Sequence, residues 1–220
     1  MPETLSGAEI VVRLLERQGI HTVAGIPGGA ILPLYDALSQ SSLIRHILAR
    51  HEQGAGFMAQ GMARVTGKPA VCLASSGPGA TNLLTAIADA KLDSIPLVAI
   101  TGQVPRPMIG TDAFQEVDTY GLSLPITKHN FLVSSAEELL TVIPRAFAIA
   151  ASGRPGPVLV DIPKDVQAQV IEVAGWPPAG MPNPAPPADE ALLARAAALI
   201  DRAERPILYL GGGVVHGEAA

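Results

Sequence analysis

The chain has 220 residues, of which 48% are hydrophobic and only 4% aromatic, and its formal net charge is −5 at pH 7. This acidic balance, without any basic run, excludes functions that depend on a cationic surface, so neither nucleic acid nor an anionic membrane is predicted as a partner. No signal-peptide pattern opens the chain, no apolar run reaches membrane-spanning length, and the single cysteine, Cys72, lies in an apolar stretch, so we expect a cytoplasmic protein.

Strand and helix signals alternate along the first 162 residues. A capping-box pattern from Ser6 to Glu9 predicts a first helix that ends at Gly19. The elements predicted after it are strand 21–26, helix 30–38, strand 43–48, helix 52–65, strand 69–74, helix 79–91, strands 96–101 and 126–133, helix 136–151 and strand 157–162. This alternation predicts an α/β fold, a doubly wound parallel sheet with helices on both faces.

The composition changes after residue 170. Six of the twelve residues from Trp176 to Pro187 are prolines, which predicts an extended linker. Beyond it, an Ala/Leu-rich helix at 189–203 and a strand at 206–210 indicate the opening of another α/β unit. We therefore expect one complete domain at residues 1–170, a proline-rich linker at 171–188 and the truncated start of a second α/β domain at 189–220.

Glu52 is the first candidate for a functional residue. It lies between strand 43–48 and a helix rich in Gly and Ala, where small residues allow another surface to approach the backbone closely. A poorly solvated carboxylate holds its proton tightly, which suits a group that shares a proton with a ligand nitrogen. Taken alone, the stretch favours a simpler interpretation, a glutamate that complements the helix macrodipole.

Three further segments are predicted at the same edge of the sheet. Residues 26–29 and 75–82 each join a strand to a helix, and residues 110–116 lie in a long loop after strand 96–101. In an open parallel sheet, ligands bind at the carboxyl ends of the strands. The glycines of residues 77–79 alone indicate only a tight turn, because Asn82 stands where a dinucleotide fingerprint has its third glycine.

Together these segments resemble one family. The resemblance is carried by RHEQGAGFMAQGMAR, SSGPGATNLLTAIADA, AITGQVP, IGTDAFQEVDTYG, PITKHNFLV and GRPGPVLVDIPKDVQ, and it extends almost without a gap from Ser6 to Gln169. They are similar to the N-terminal part of acetolactate synthase, also called acetohydroxyacid synthase. Phe57, Gln60 and Met62 stand where many members have His, Glu and Tyr, a variation similar to the isozyme-I branch of large subunits.

The resemblance implies an enzyme of branched-chain amino acid biosynthesis. It implies thiamine diphosphate-dependent decarboxylation of pyruvate and carboligation to a second 2-keto acid, pyruvate or 2-ketobutyrate, with this chain as the pyrimidine-binding domain. Glu52 would hydrogen-bond N1′ of the aminopyrimidine, whose exocyclic nitrogen could then remove the C2 proton. The residues implied to contact thiamine diphosphate are Pro27, Gly28, Glu52, Ser76, Pro78, Asn82 and Gln115.

Three residues are implied to act near the substrate. Gln115 and Lys164 join Glu52 as catalytic residues, and the Lys164 charge could meet a substrate carboxylate; a solvated loop lysine is the alternative. Phe114 would supply an apolar wall of the substrate pocket.

Further cofactors are implied mainly outside this chain. Arg154 matches a flavin-contacting arginine, although an arginine that braces its loop is a fair alternative. FAD would have no redox part. The Mg²⁺ and diphosphate site of the family requires a Gly-Asp-Gly motif that does not occur here, so no residue of this chain is implied as a metal ligand.

The resemblance also implies partners. A second copy of the catalytic subunit is expected, in a homodimer or larger assembly, because small residues on helices 52–65 and 79–91 permit close helix approach. The other partners that the resemblance implies are a small regulatory subunit and 2-keto acids. As an isolated fragment, the chain is expected to be inactive.

Several other functions remain alternatives. Pyruvate oxidase, 2-keto acid decarboxylase and glyoxylate carboligase belong to the same superfamily; Glu52 disfavours the last, and the segments GTDAFQE and PITKHN disfavour the others. A non-catalytic dimerisation module is an alternative from another class. A nicotinamide-dependent oxidoreductase is disfavoured, because no acidic residue lies in the register that binds a ribose.

Overall fold

The computed structural model describes residues 2–184 and 186–216. Its strands are β1 (Glu3–Ser6), β2 (Thr22–Gly25), β3 (Arg45–Leu48), β4 (Ala70–Ala74), β5 (Leu97–Gln103), β6 (His129–Leu132), β7 (Pro157–Pro163) and β8 (Val170–Val173). Six of them form a parallel sheet in the order β3-β2-β4-β5-β7-β6, while β1 and β8 pair antiparallel in a separate two-stranded ribbon. The predicted α/β fold with a parallel sheet is confirmed.

Seven helices accompany the strands in the described part of residues 2–182. They are α1 (Gly7–Arg17), α2 (Leu32–Ser39), α3 (Glu52–Thr66), α4 (Pro78–Leu92), α5 (Thr119–Ser123), α6 (Ala136–Ala151) and α7 (Lys164–Ala168), with short 3-10 helices at Arg106–Met108 and Leu124–Ile126. The predicted capping box is present, since Ser6 accepts from the Glu9 amide and the Glu9 carboxylate accepts from the Ser6 amide. Gly67 ends α3 in the left-handed conformation that favours glycine.

The two faces of the sheet are covered differently. Helices α1, α2 and α6 pack on one face, around a cluster dominated by Ile, Leu and Val side chains. Helices α3 and α4 pack on the other face, where the cluster consists mainly of alanines with a few larger aliphatic residues and Cys72. Because side chains alternate along a strand, each central strand contributes to both clusters.

The structure corrects two of the predicted strands. The segment predicted as strand 126–133 begins as a 3-10 turn that contains Pro125, and β6 starts only at His129. Proline has no amide hydrogen to donate to a neighbouring strand. Among the described residues, 206–210 do not form a strand, because no neighbouring strand supplies hydrogen-bond partners there.

The chain divides into two compact units, Met1–Pro182 and Asn183–Ala220. Residues 171–173, at the start of the predicted linker, form the end of β8. The second unit contains α8 (Glu190–Asp201), capped by Asp189, and α9 (Gly212–His216). No helix in the described part of the chain has the length and apolar character needed to cross a membrane.

Candidate functional site

Four loops follow the carboxyl ends of neighbouring strands. They comprise residues 26–31 after β2, 49–51 after β3, 75–77 after β4 and 104–118 after β5. Since these strands are adjacent in the order β3-β2-β4-β5, the loops share one edge of the sheet. This is the edge at which open parallel sheets bind ligands.

Glu52 lies at this edge as the first residue of α3. His51 caps the helix, since its Nδ1 accepts from the Gln53 amide at 3.2 Å. The Glu52 side chain is half-buried, and its Oε2 accepts a hydrogen bond from Nδ2 of Asn82 on α4 at 2.9 Å. Its Oε1 has no hydrogen-bond partner within residues 2–184 and 186–216. One carboxylate oxygen is therefore held, while the other is available to a donor on a ligand.

Glycines allow the loops at this edge to pack closely. A Cβ added to Gly28 would lie only 2.5 Å from Cβ of Ser75. Gly77 has a φ of 54°, and a Cβ there would lie 2.5 Å from the Gln115 carbonyl oxygen. A Cβ on Gly79 would lie 3.5 Å from Glu52 Oε1. These glycines let the loops after β2, β4 and β5 pack against one another next to Glu52, and Gly79 adds no side chain beside Glu52 Oε1; we call this part of the edge the glycine cradle.

The structure places the other predicted contact residues around this cradle with different exposures. Ser76 is buried, and its carbonyl accepts from the Gly79 amide at 3.1 Å. Pro78 is the exposed first residue of α4, and Pro27 is also exposed. Gln115 is exposed and has a φ of 59°, and its backbone lies against Gly77.

Two predicted residues project into solvent at the same edge. Phe114 is 87% exposed on the loop after β5. Lys164 is the exposed first residue of α7, directly after β7, and forms no hydrogen bond or ion pair within the part of the chain that the structure describes. Both side chains are accessible to a ligand, but the structure does not bring them into contact with Glu52.

Arg154 lies at the opposite edge of the sheet. Its Nε donates to Ser94 Oγ at 2.7 Å and its Nη2 to the Leu92 carbonyl at 2.9 Å. These residues precede β7 and β5, so they lie at the amino ends of the strands. The loop-bracing alternative describes these contacts, and a contact with FAD stays a prediction.

A polar network at the sheet edge was not found from the sequence. Asp161 of β7 is buried, and it accepts from Thr101 Oγ1 at 2.7 Å and from Gln103 Nε2 at 2.9 Å. Burial raises the pKa of Asp161 to about 7, against hydrogen bonds from Thr101 and Gln103 that lower it, and the nearby Asp118 carboxylate raises it further. The available signal was a lone carboxylate in an otherwise apolar strand.

Two further residues missed at the sequence level clamp the loop after β2. Ser75 Oγ accepts from the Ala30 amide at 3.3 Å. Gln167 Nε2 donates to the Ala30 carbonyl at 2.8 Å, from 137 residues away in the chain. Both backbone groups of Ala30 are thus fixed, which holds the Pro27–Gly28 turn at the edge.

Cysteine and metal chemistry find no support in the described residues. Cys72 is fully buried, and burial raises the pKa of its thiol to about 12, so the nucleophilic thiolate is not available. Within residues 2–184 and 186–216, no three His, Cys, Asp or Glu side chains lie together in a group that could hold a metal ion.

Comparison with known proteins gives a family and several relatives. A family model described as thiamine pyrophosphate enzyme, N-terminal TPP binding domain, matches residues 5–122. The acetolactate synthase isozyme 1 large subunit of Escherichia coli is 67% identical over 214 residues, 97% of this chain and 38% of the relative.

Two further relatives show the same pattern of coverage. An acetolactate synthase of Mycobacterium bovis is 56% identical over 99% of this chain and 35% of the relative. The isozyme 2 large subunit of E. coli is 55% identical over 98% of this chain and 39% of the relative. The chain thus spans less than two fifths of the length of these curated relatives.

Proposed function

The chain belongs to the thiamine pyrophosphate enzyme family through its N-terminal cofactor-binding domain, and on this premise we propose that it is the pyrimidine-binding part of an acetolactate synthase large subunit. The proposed reaction is the decarboxylation of pyruvate and carboligation to a second 2-keto acid. The observation that carries the proposal is the Glu52 carboxylate, held by Asn82 at one oxygen and open at the other beside a glycine cradle.

The residues at the cradle fit the pyrimidine half of thiamine diphosphate. When bound, this cofactor supplies the carbanion chemistry at its thiazolium carbon. Glu52 Oε1 offers a hydrogen-bond acceptor for a protonated ring nitrogen, and Asn82 fixes the orientation of the carboxylate. Gly79 places no side-chain atom beside Glu52 Oε1, where a Cβ would lie 3.5 Å away, so this oxygen stays accessible from the side of α4. Glu52 thus holds the proton at N1′, the step on which activation of the cofactor depends.

Substrate contacts are proposed for side chains at the same edge. Phe114 supplies an apolar wall, Gln115 a polar contact and Lys164 a positive charge for the carboxylate of a 2-keto acid. The support for these roles is their exposure, on the loop that follows β5 for Phe114 and Gln115 and at the start of α7, directly after β7, for Lys164.

The remaining cofactors and the compartment are also proposals. We place Mg²⁺ and the diphosphate group outside residues 1–220, and FAD mainly outside them with Arg154 as one contact. The Nη1 group of Arg154 forms no hydrogen bond within the described residues. A cytoplasmic location is supported by a lone, unpaired cysteine, which is typical of reducing compartments.

A homodimer is proposed on a surface different from the one that the sequence indicated. The small residues Ala59 and Ala63 of α3 are buried within the chain, so they are not free to contact a partner. The exposed large side chains of α3 are Phe57 and Met58, at 40% and 43%, and Val65 at 88%. An apolar surface of this kind favours association. Sedimentation that shows a fully active monomer would contradict the dimer.

A small regulatory subunit is proposed as a further partner. The support is the term large subunit in the names of two relatives.

The central test uses a chimeric subunit, defined as the E. coli isozyme 1 large subunit with its matched segment replaced by this chain. Glu52→Gln should slow hydrogen–deuterium exchange at cofactor C2, and acetolactate formation with it, by about 10²–10⁴-fold, because an amide cannot exchange the proton. Glu172→Gln on β8 makes the same charge change at an exposed position and serves as the control. An unchanged exchange rate in Glu52→Gln would overturn the proposal.

A further inference from the structure

Asp161 is a buried carboxyl group that the proposed chemistry does not use. Only 1% of the residue is exposed. It lies two residues after Leu159 on β7, so it shares the face of the sheet covered by α3 and α4. A buried carboxyl group lowers the stability of a fold unless hydrogen bonds compensate for its lost hydration. The hydrogen bonds of Asp161 indicate what its role is.

The hydrogen bonds lead from Asp161 to the loop that carries the proposed substrate contacts. Gln103, 2% exposed, donates from the same Nε2 to Asp161 Oδ2 at 2.9 Å and to the Val117 carbonyl at 3.0 Å. Gln103 Oε1 accepts from the Val104 amide at 2.9 Å, which fixes the orientation of the side-chain amide. Gln103 therefore joins both ends of the loop 104–118 to the sheet, and Asp161 holds Gln103 in place.

We propose that Asp161 is a positioning residue which, through Gln103, fixes the backbone of Val117 and with it the loop at 110–116. The loop is a place where orientation matters, because Gln115 has a φ of 59° and its carbonyl packs against Gly77. A shift of the loop would move the side chains of residues 114 and 115 relative to the cradle. This proposal rests on the proposed function, since it assigns those side chains to the substrate.

Both oxygens of Asp161 face donors, and this predicts which substitutions keep the link. Asparagine can keep one acceptor toward Gln103 and turn its NH₂ group toward the Thr101 hydroxyl, which can accept a hydrogen bond. Alanine supplies no acceptor, so Gln103 keeps only its hydrogen bonds with Val104 and Val117 and is held less firmly. Asp161→Asn should therefore preserve the position of the loop, whereas Asp161→Ala should release it.

Amide hydrogen exchange on this chain tests the link directly. The amides of Glu116 and Thr119 are hydrogen-bonded within the loop region, at 2.9 and 2.8 Å, so they report its order. Asp161→Ala should accelerate their exchange by about tenfold or more, while Asp161→Asn should leave it within about twofold. Gln103→Met removes the link from its other side and should match Asp161→Ala, which keeps the test decisive if one variant fails to fold.

Val160→Ala is the matched control. Val160 is the buried neighbour of Asp161 on β7, and its side chain belongs to the cluster on the opposite face of the sheet. It should lower stability without accelerating exchange in the loop. Unchanged exchange in Asp161→Ala, or equal acceleration in Val160→Ala, would overturn the proposal.

The chimeric subunit separates positioning from a purely structural role. Asp161→Ala should lower kcat/KM for pyruvate about tenfold, because the substrate contacts are misplaced, and Asp161→Asn should keep it near the wild-type value. Accelerated exchange with an unaltered kcat/KM would overturn the positioning role. If the proposed function is wrong, the chimera will be inactive even when Asp161, Gln103 and Val160 are all wild type. The exchange measurements on this chain would still test the link between Asp161 and the loop.

Discussion

The two faces of the sheet are built from residues of different size, and they serve different purposes. On the face covered by α1, α2 and α6, large side chains such as Leu14, Leu139 and Ile143 are fully buried. On the face covered by α3 and α4, most positions are alanine or glycine, and a Cβ on Gly56 would lie 2.6 Å from Cβ of Ala86. Large buried apolar side chains stabilise the first face, whereas small residues on the second let the backbones of α3 and α4 approach closely.

The close approach has a direct effect on the site. Because α3 and α4 lie near each other, the carboxylate at the start of one reaches the amide of Asn82 on the other at 2.9 Å. Larger residues between the helices would separate these side chains. The face with small residues buries less apolar area, so it contributes less to stability and instead brings α3 and α4 close together.

The largest expected effect comes from the face with large residues. Leu139→Ala should lower the free energy of unfolding by about 2–5 kcal/mol, since it removes buried methyl groups and leaves a cavity. Urea unfolding of this chain, followed by circular dichroism, measures the change. Leu192→Ala on α8 replaces a leucine that is 57% exposed and should have little effect. Equal losses in the two variants would contradict the assignment of stability to this face.

A smaller loss is expected on the other face, with a larger effect on the site. Gly56→Ala should lower the free energy of unfolding by about 1–3 kcal/mol, because its Cβ overlaps Ala86 and forces α3 and α4 apart. In the chimeric subunit the same variant should lower activity per folded molecule, as Glu52 and Asn82 separate.

Gly61→Ala on the same helix is its matched control. No atom lies within 4 Å of a Cβ at Gly61, so this variant should gain about 0.4–1 kcal/mol from the lower entropy of the unfolded chain. Gly56→Ala that is as stable and as active as Gly61→Ala would show that close helix approach is not required.

The last of these effects depends on pH and arises from Asp161, on the face covered by α3 and α4. The pKa of Asp161 is raised from 3.8 to about 7 by burial, so the folded chain retains a proton there that the unfolded chain releases. Its contribution to the free energy of unfolding is therefore full below about pH 4 and is lost as pH rises to about 7. Asp161→Asn should lack this loss. Urea unfolding of both proteins between pH 4 and pH 8 measures it, and parallel pH profiles would refute it.

Much of the fold follows from local signals in the sequence. The alternation of strands and helices, the Ser6 capping box and the glycine-rich turns are each written into a few consecutive residues, and the structure contains them. Glu52 and Asn82 came from the resemblance to a family, and their hydrogen bond shows that they lie together.

The features that the sequence did not predict depend on distant partners. The ribbon of β1 and β8 joins segments more than 160 residues apart, and neither strand has an alternation strong enough to reveal it. Asp161 and Thr101 are 60 residues apart. The small residues of helix 52–65 were expected to allow another subunit to approach, but Ala59 among them is buried within the chain, because periodicity locates an apolar face and does not identify the helix that covers it.

The position of β7 in the sheet has a consequence for synthesis on the ribosome. This strand lies between β5 and β6, with seven residue pairs to one and four to the other, yet it follows both in the chain. A nascent chain can therefore form β2, β3, β4 and β5 with their helices while the far side of β5 still has an unpaired edge. Only when residues 157–163 emerge does that edge close, and Asp161 then reaches Gln103. The loop at 110–116 is thus among the last parts to be fixed, although translation delivers it earlier.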